Sequence, residues 1–367
     1  STSIKDVDGD GNRDLLIAGR SSSQIPTRLP TATLYLGNGQ GGFEEAGADL
    51  TGITNGSTSI SDIDGDGNQD LLITGTTRTE EGIFPTATLY LGNGQGRFEE
   101  TGSNLTDVFS GSTSIADVNK DGNLDILIAG SVGTTINDKK PAATLYLGDG
   151  QGSFTEANAD LDGVSGASAT SIKDINGDGN PDLVIAGDAA SFPDTDPSTT
   201  LYLGNGEGEF EKARAGLVGV TFGSISVADV DGDENQDLLI AGGDEDRDPL
   251  TRLYLGNGQG GFEKTDAGLA RASSFTSRGS GSTSIADIDG DGAKDLLVTG
   301  FSSTSQSRTA ILYENLFDDP LSADSVPPDA PTGVAATPSS SAVSLSWAGS
   351  GSADVNRYRI YRSTAPI

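Results

Sequence analysis

The sequence predicts an all-β chain: a propeller of six four-stranded blades, with seven possible. Three observations carry that expectation. A motif read at residues 6–19 as DVDGDGNRDLLIAG returns at Asp62, Asp117, Asp174, Asp229 and Asp287, in steps of 56, 55, 57, 55 and 58 residues. A period that even marks one supersecondary unit repeated. Each unit also carries four short strand-like pieces, and none shows helical periodicity, which together describe a blade.

Within a unit the pieces follow a fixed order. The repeats start near residues 1, 57, 112, 169, 224 and 282, and the first piece is a Ser-Thr-Ser-Ile run or its relative. Its small polar side chains suit a crowded innermost position. The acidic loop follows, and then a branched apolar run such as 15–18, which fits a strand covered on both faces. The third piece is TATLYL at 31–36, with a Tyr recurring as Tyr35, Tyr90, Tyr146, Tyr202, Tyr254 and Tyr313. The fourth is short and charged, as at 42–45, the chemistry by which an outer edge strand avoids stray pairing. The sixth unit is expected to lack this outer strand.

Between the third and fourth pieces runs Gly37-Asn38-Gly39-Gln40-Gly41-Gly42, which matches a G-x-G-x-x-G spacing. A dinucleotide fingerprint requires a helix after it. Here a Phe and two Glu lead to another turn, so the segment is read as a hairpin turn using Gly and Asn for positive φ. The connections between second and third pieces vary freely in sequence. They belong at the opposite end of the blade from the acidic loops, where a specific partner would be read.

Net charge is 22 − 54 = −32. A surface this acidic repels nucleic acid and anionic membranes, so neither is expected as a partner. No run approaches the length of a membrane span. The chain contains no Cys and no His. That removes the usual zinc and copper ligands, the commonest general base and the thiol nucleophile. Catalysis is therefore not expected: no catalytic residue is assigned, and the acidic clusters repeat six times instead of forming one asymmetric constellation.

The chemistry sits in the acidic loops. Oxygen atoms at places one, three, five and nine can converge on one cation, and hard oxygen ligands in a flexible loop favour Ca²⁺. Place seven is read as a backbone-carbonyl ligand, because Ala293 stands there in the sixth copy and has no side-chain oxygen. The candidate ligands in copies one to three are Asp6, Asp8, Asp10, Asn12 and Asp14; Asp62, Asp64, Asp66, Asn68 and Asp70; and Asp117, Asn119, Asp121, Asn123 and Asp125. In copies four to six they are Asp174, Asn176, Asp178, Asn180 and Asp182; Asp229, Asp231, Asp233, Asn235 and Asp237; and Asp287, Asp289, Asp291, Ala293 and Asp295. About six Ca²⁺ are expected, with a structural role. Place two is always Val or Ile and should pin each loop to the core. Glu234 replaces Gly at place six, and if that place is left-handed the fifth site should be the weakest.

The loop is not an EF-hand, since Ile17 stands where the place-twelve Glu would be and strands flank it. The pattern resembles the FG-GAP repeat of integrin-α-like propellers over residues 1–317, and the resemblance implies Ca²⁺ in a β-hairpin loop at the places just derived. Residues 318–331 read as a Pro- and Ser-rich linker. Residues 332–367, with Trp347 and the run Tyr358-Arg359-Ile360-Tyr361-Arg362, resemble the first half of a fibronectin type III sandwich.

The expected function is that of an extracellular structural or adhesive module of a secreted surface protein. Its partner is expected to be a further copy of itself added head to tail, giving filaments, or another surface protein or glycan. A lectin-like propeller and the propeller of a polysaccharide lyase are the alternatives. The aromatic candidates for sugar contact are Phe84, Phe192 and Phe301 in variable connections, with Phe222 and Phe275 in the connections between units.

Overall fold

The computed structural model describes residues 1–20, 29–135, 138–191, 194–246, 248–265, 267–269, 282–302 and 307–315. For 167–168, 301–302, 307–309, 332–338 and 343–348 it describes the backbone alone. Residues 1–315 form six antiparallel sheets in sequence order, five of four strands and a sixth of three among the described residues. This is a six-bladed propeller. Each sheet runs strictly from its first strand to its last, so every connection is a hairpin. The innermost strands are Thr2–Lys5, Thr54–Ser61, Phe109–Ala116, Ser165–Lys173, Thr221–Ala228 and Ser282–Ala286.

The apolar second strands occupy the middle of each sheet. In blade two Asp70–Arg78 pairs Leu71 with Tyr90 on one side and with Ile60 on the other. Leu71, Leu72 and Ile73 are all fully buried, because both faces of a blade are covered by its neighbours. Among the described residues the core is accordingly not one mass but five inter-blade clusters. The first joins Val7, Leu16, Ala18, Ala32 and Leu34 of blade one to Leu71, Ile73 and Tyr90 of blade two.

Polar bonds run in parallel with these cores. Ser1 and Ser3 share bonds with Thr58 of the next blade, and Ser57 and Ser59 do so with Thr113. The pattern recurs for Ser112 and Ser114 with Thr170, and for Ser224 and Ser226 with Thr283. The small hydroxyl residues of the inner strands thus stitch blade to blade. The recurring tyrosines do the same further out. The Tyr90 hydroxyl accepts from Thr51 N–H at 2.9 Å, and Tyr146, Tyr202 and Tyr254 accept from Thr106, Asp162 and Val218. In each case the partner lies in the segment leaving the preceding blade. That segment also carries Ile53, Val108, Val164 or Val220, each buried and bridged back to the preceding blade's third strand.

Two expectations need correction. The variable connections are shorter than the sequence suggests: in blade two strand continues through Arg78 and resumes at Ile83. Phe84, Phe222 and Phe301 therefore lie in strands, not in loops. Phe222 stands at an irregularity in strand register between Thr221 and Ser224, with φ +52°. Phe192, Phe275 and 358–362 lie outside the described residues. Thr332–Pro338 and Val343–Ala348 pair as a two-stranded antiparallel sheet. Among the described residues no helix is long and apolar enough to cross a membrane.

One regularity fails at the ends of the array. Ile17 and Ile73 hold the same place in blades one and two, yet Ile17 is 40% exposed and Ile73 is 0% exposed. The same truncation should then have unequal consequences. Ile73→Ala is expected to cost about 2–5 kcal/mol, and Ile17→Ala under about 1 kcal/mol. Urea denaturation followed by tyrosine fluorescence and by circular dichroism checks this. Equal losses would contradict the packing described.

Candidate metal centres

Each acidic loop joins an inner strand to the buried second strand, and its last carboxylate holds the turn together. Asp14 is buried; its Oδ2 accepts Val7 N–H at 2.7 Å and its Oδ1 accepts Gly37 N–H at 2.8 Å. One carboxylate therefore bonds the start of the loop and the end of the third strand at once. Asp70, Asp125, Asp182, Asp237 and Asp295 repeat the arrangement with Ile63/Gly92, Val118/Gly148, Ile175/Gly204, Val230/Gly256 and Ile288/Asn315. Burial raises the pKa of Asp70, Asp125, Asp182 and Asp237, and the two backbone N–H donors oppose it.

The place-one carboxylate shapes the rest. Asp6 accepts N–H from Gly9 and Gly11, folding the loop around itself. Places four and six adopt left-handed backbone, with φ +75° at Gly9 and +87° at Gly11. Glu234, at place six, is held at φ +71°, as expected for a residue substituting for Gly. Lys120, at place four of the third loop, is a second such substitution that the sequence reading missed, with φ +59°. Comparing place four across the six copies was enough to find it. Its ammonium reaches the next loop and donates to Asn180 Oδ1 at 2.5 Å.

The structure brings together many of the candidate ligands. Carboxylate oxygens of Asp6, Asp8 and Asp10 lie within 4.8 Å of one another, as do those of Asp62, Asp64 and Asp66, and of Asp287, Asp289 and Asp291. In the fifth loop the convergent set is Asp229, Asp231 and Asp237, so place nine takes part there. In the third and fourth loops Asn119 and Asn176 stand at place three and donate to Asp121 and Asp178. Desolvation first, and then the neighbouring carboxylates, raise the pKa of Asp8, Asp64 and Asp231. Asp10, Asp121, Asp178 and Asp233 are lowered, chiefly by the N–H of the place-seven Asn.

A divalent cation fits this arrangement. Asp62 Oδ1 is buried and has no hydrogen-bond partner, a costly state for a carboxylate oxygen unless a cation faces it. The place-seven side chains point elsewhere. Asn12 Nδ2 donates to Asp10, and its Oδ1 lies 2.2 Å from where a Cβ on Gly39 would stand. Asn68, Asn123, Asn180 and Asn235 meet Gly94, Gly150, Gly206 and Gly258 in the same way. At place seven only the backbone carbonyl is left for a ligand, and in the sixth loop Ala293 is buried.

These contacts give the Gly-rich turn its reason. A Cβ on Gly37 would lie 2.1 Å from the Arg13 carbonyl oxygen, and one on Gly92 2.0 Å from that of Gln69. The glycines let the turn close against the acidic loop of its own blade, and nothing in the segment opens a helix. The turn also abuts the loop of the blade before: a Cβ on Gly96 would meet the Asp8 Cβ at 3.9 Å.

Gly92→Ala is expected to destabilise by more than about 2 kcal/mol, since backbone must move. Gly102→Ala, where a Cβ meets nothing within 4 Å, should change stability by less than about 0.5 kcal/mol. Chemical denaturation of the two variants checks the contrast, and a neutral Gly92→Ala would refute the close approach.

Comparison with known proteins bears on the same residues. The FG-GAP-like repeat family matches at 6–73, 62–128, 117–185, 174–240 and 229–298, each match running from one acidic loop into the second strand of the following blade. Integrin alpha-4 of Xenopus laevis is 29% identical over 158 residues, covering 39% of this chain; the chain spans 15% of that relative's length. Among solved structures, an Agrocybe aegerita lectin described as recognising non-reducing terminal N-acetylglucosamine aligns with 86% of this chain and 80% of its own. Its TM-score is 0.50 at 17% identity, a likeness of fold alone. The exotype rhamnogalacturonan lyase YesX aligns with 86% of this chain and 65% of its own, with TM-score 0.40 and 13% identity. With five overlapping matches spanning most of the propeller, this chain belongs to the FG-GAP-like repeat family.

Proposed function

We propose that the chain is a non-enzymatic structural or adhesive module of an extracellular surface protein, its blades stabilised by about six Ca²⁺. The observation that carries the metal assignment is the convergence of three carboxylates in four loops, with Asp62 Oδ1 buried and unpartnered in one of them. The side chains at places one, three, five and nine and the carbonyl at place seven would hold each ion. Bound there, Ca²⁺ supplies positive charge that offsets the repulsion felt by Asp8, Asp64 and Asp231. An extracellular setting agrees with this, because millimolar Ca²⁺ fills oxygen sites of modest affinity.

Three features support a non-catalytic reading. The chain has no His or Cys, its carboxylates are committed to loop geometry, and the acidic motif is repeated instead of elaborated in one blade. The partner on this reading is a further copy of the chain, another surface protein or a glycan. Glycan binding is the second reading, and Phe222 favours it. This aromatic residue is partly exposed at the end of the blades away from the acidic loops, and its left-handed backbone is strained for a bulky side chain. Loss of glycan-array signals on Phe222→Ala would support that reading, and an array without signals would remove it.

Calcium dependence tests the main reading. At a hundredfold excess over its dissociation constant each ion adds about 2.7 kcal/mol to stability. Melting temperature should therefore rise clearly between chelator and millimolar Ca²⁺, and identical curves would overturn the metal assignment. The fifth site should be the weakest by calorimetry. Glu234→Gly should tighten it by about fivefold, through relief of about 1 kcal/mol of backbone strain.

A further inference from the structure

The third and fourth acidic loops depart from the others in charge. Each carries Asn at place three, Asn119 and Asn176, where loops one, two, five and six carry Asp. The fourth loop is left with three carboxylates at its ligand places, Asp174, Asp178 and Asp182, against four in loops one and two. Lys120 stands at place four of the third loop, where the other five copies have Gly. Its backbone is left-handed, with φ +59°, a conformation that strains any residue with a Cβ and leaves glycine at ease. An outlier of this kind directs attention to what its side chain reaches.

Place four lies against the Gly-rich turn of the following blade. A Cβ on Gly9 would stand 3.8 Å from the Gly94 carbonyl oxygen, one on Gly65 3.8 Å from that of Gly150, and one on Gly177 3.6 Å from that of Gly258. From this place the Lys120 stem runs along the turn of blade four, its Cδ 3.4 Å from where a Cβ on Gly206 would be. The ammonium then donates to Asn180 Oδ1, at place seven of the fourth loop. Asn180 N–H in turn bonds Asp178 Oδ1 at 2.7 Å. The Asp178 carboxyl is held low chiefly by that N–H, and the Asn176 and Asn180 side chains and the Lys120 ammonium add to the effect.

We infer that Lys120 is a built-in cation of the fourth acidic loop: supplied by the blade before, it holds that loop in shape when no divalent ion is bound and weakens the loop's grip on one. The inference rests on the calcium reading above. A fixed positive charge beside three carboxylates opposes an incoming divalent ion, and it stands in for part of that ion's attraction while the site is empty. The ammonium bonds a side-chain oxygen that faces the Gly-rich turn, so it acts from beside the ion's place without filling it. One side chain thereby links loops three and four across a blade boundary.

The test is a Ca²⁺ titration of the full chain followed by NMR. Gly177 and Gly179 amides, which bond Asp174, report on loop four; Gly9 and Gly11 amides, which bond Asp6, report on loop one as the internal control. Lys120→Met removes the charge and keeps a side chain on the left-handed backbone, whereas Lys120→Gly removes both. In each variant the loop-four midpoint should fall by about three- to tenfold, the size expected of one charge acting on a divalent ion at a water-exposed site. Loop one should not move, and at about 1 M salt, where exposed charges are screened, the difference should shrink. In chelator the Gly179 amide of Lys120→Met should exchange faster than in wild type, with Gly11 unchanged. If neither loop of the wild type responds to Ca²⁺, the metal reading itself falls. If loop one responds but loop four titrates alike in wild type and both variants, or Gly179 exchange ignores the substitution, this inference is overturned and the calcium reading stands.

Discussion

The buried carboxylate at the ninth place of each acidic loop is the constraint on which the blade depends. Asp14 and its five counterparts each accept at least two backbone N–H groups, one at the start of the loop and one at or just past the end of the third strand. Without that bond pair, the place-two Val or Ile would have no fixed register against the core and the third strand would end on an unpaired donor. Burying a carboxylate is unfavourable on its own, in keeping with the raised pKa of Asp70, Asp125, Asp182 and Asp237; backbone donors compensate in part. Charge gathered at places one, three and five then lies just outside this anchor, in a loop already shaped to receive the cation proposed above.

From that anchor the blade is built outward in both directions. Toward the axis, the loop delivers an inner strand whose serines and threonines bond the next blade. Toward the rim, the Gly-rich turn closes on the loop's carbonyl and on the place-seven Asn, and the same turn reaches the loop of the preceding blade. Acidic loop, turn and neighbouring blade are therefore one mechanical unit, which accounts for the near-identity of the six motifs. The opposite end of the blades carries none of these constraints, and there the sequence varies.

Much of this was legible in the residues. The period, the four strands and the convergence of places one, three and five followed from spacing and residue type alone. The left-handed backbone at Glu234 was readable because Gly occupies that place in the other copies. What stayed hidden depends on contacts between units. The recurring tyrosines stand out in the sequence, but the partners of Tyr90, Tyr146, Tyr202 and Tyr254 lie 36–40 residues away in another blade. Gly37 was read as a turn former, whereas close approach to Arg13 also demands it. Ile17 carries the same pattern as its buried counterparts, so only the arrangement of blades reveals that it is partly exposed.

Amide hydrogen exchange at the place-two residues tests the central claim most directly. Val7, Ile63, Val118, Ile175 and Val230 sit in exposed acidic loops, yet each donates its N–H to a buried carboxylate. The account predicts that these five amides, and those of Gly37, Gly92, Gly148, Gly204 and Gly256, exchange only with global unfolding. Amides at places four to six of the same loops should exchange far faster in chelator. Place-two amides that exchange as freely as the rest of the loop would show that the carboxylate anchor does not hold the blade.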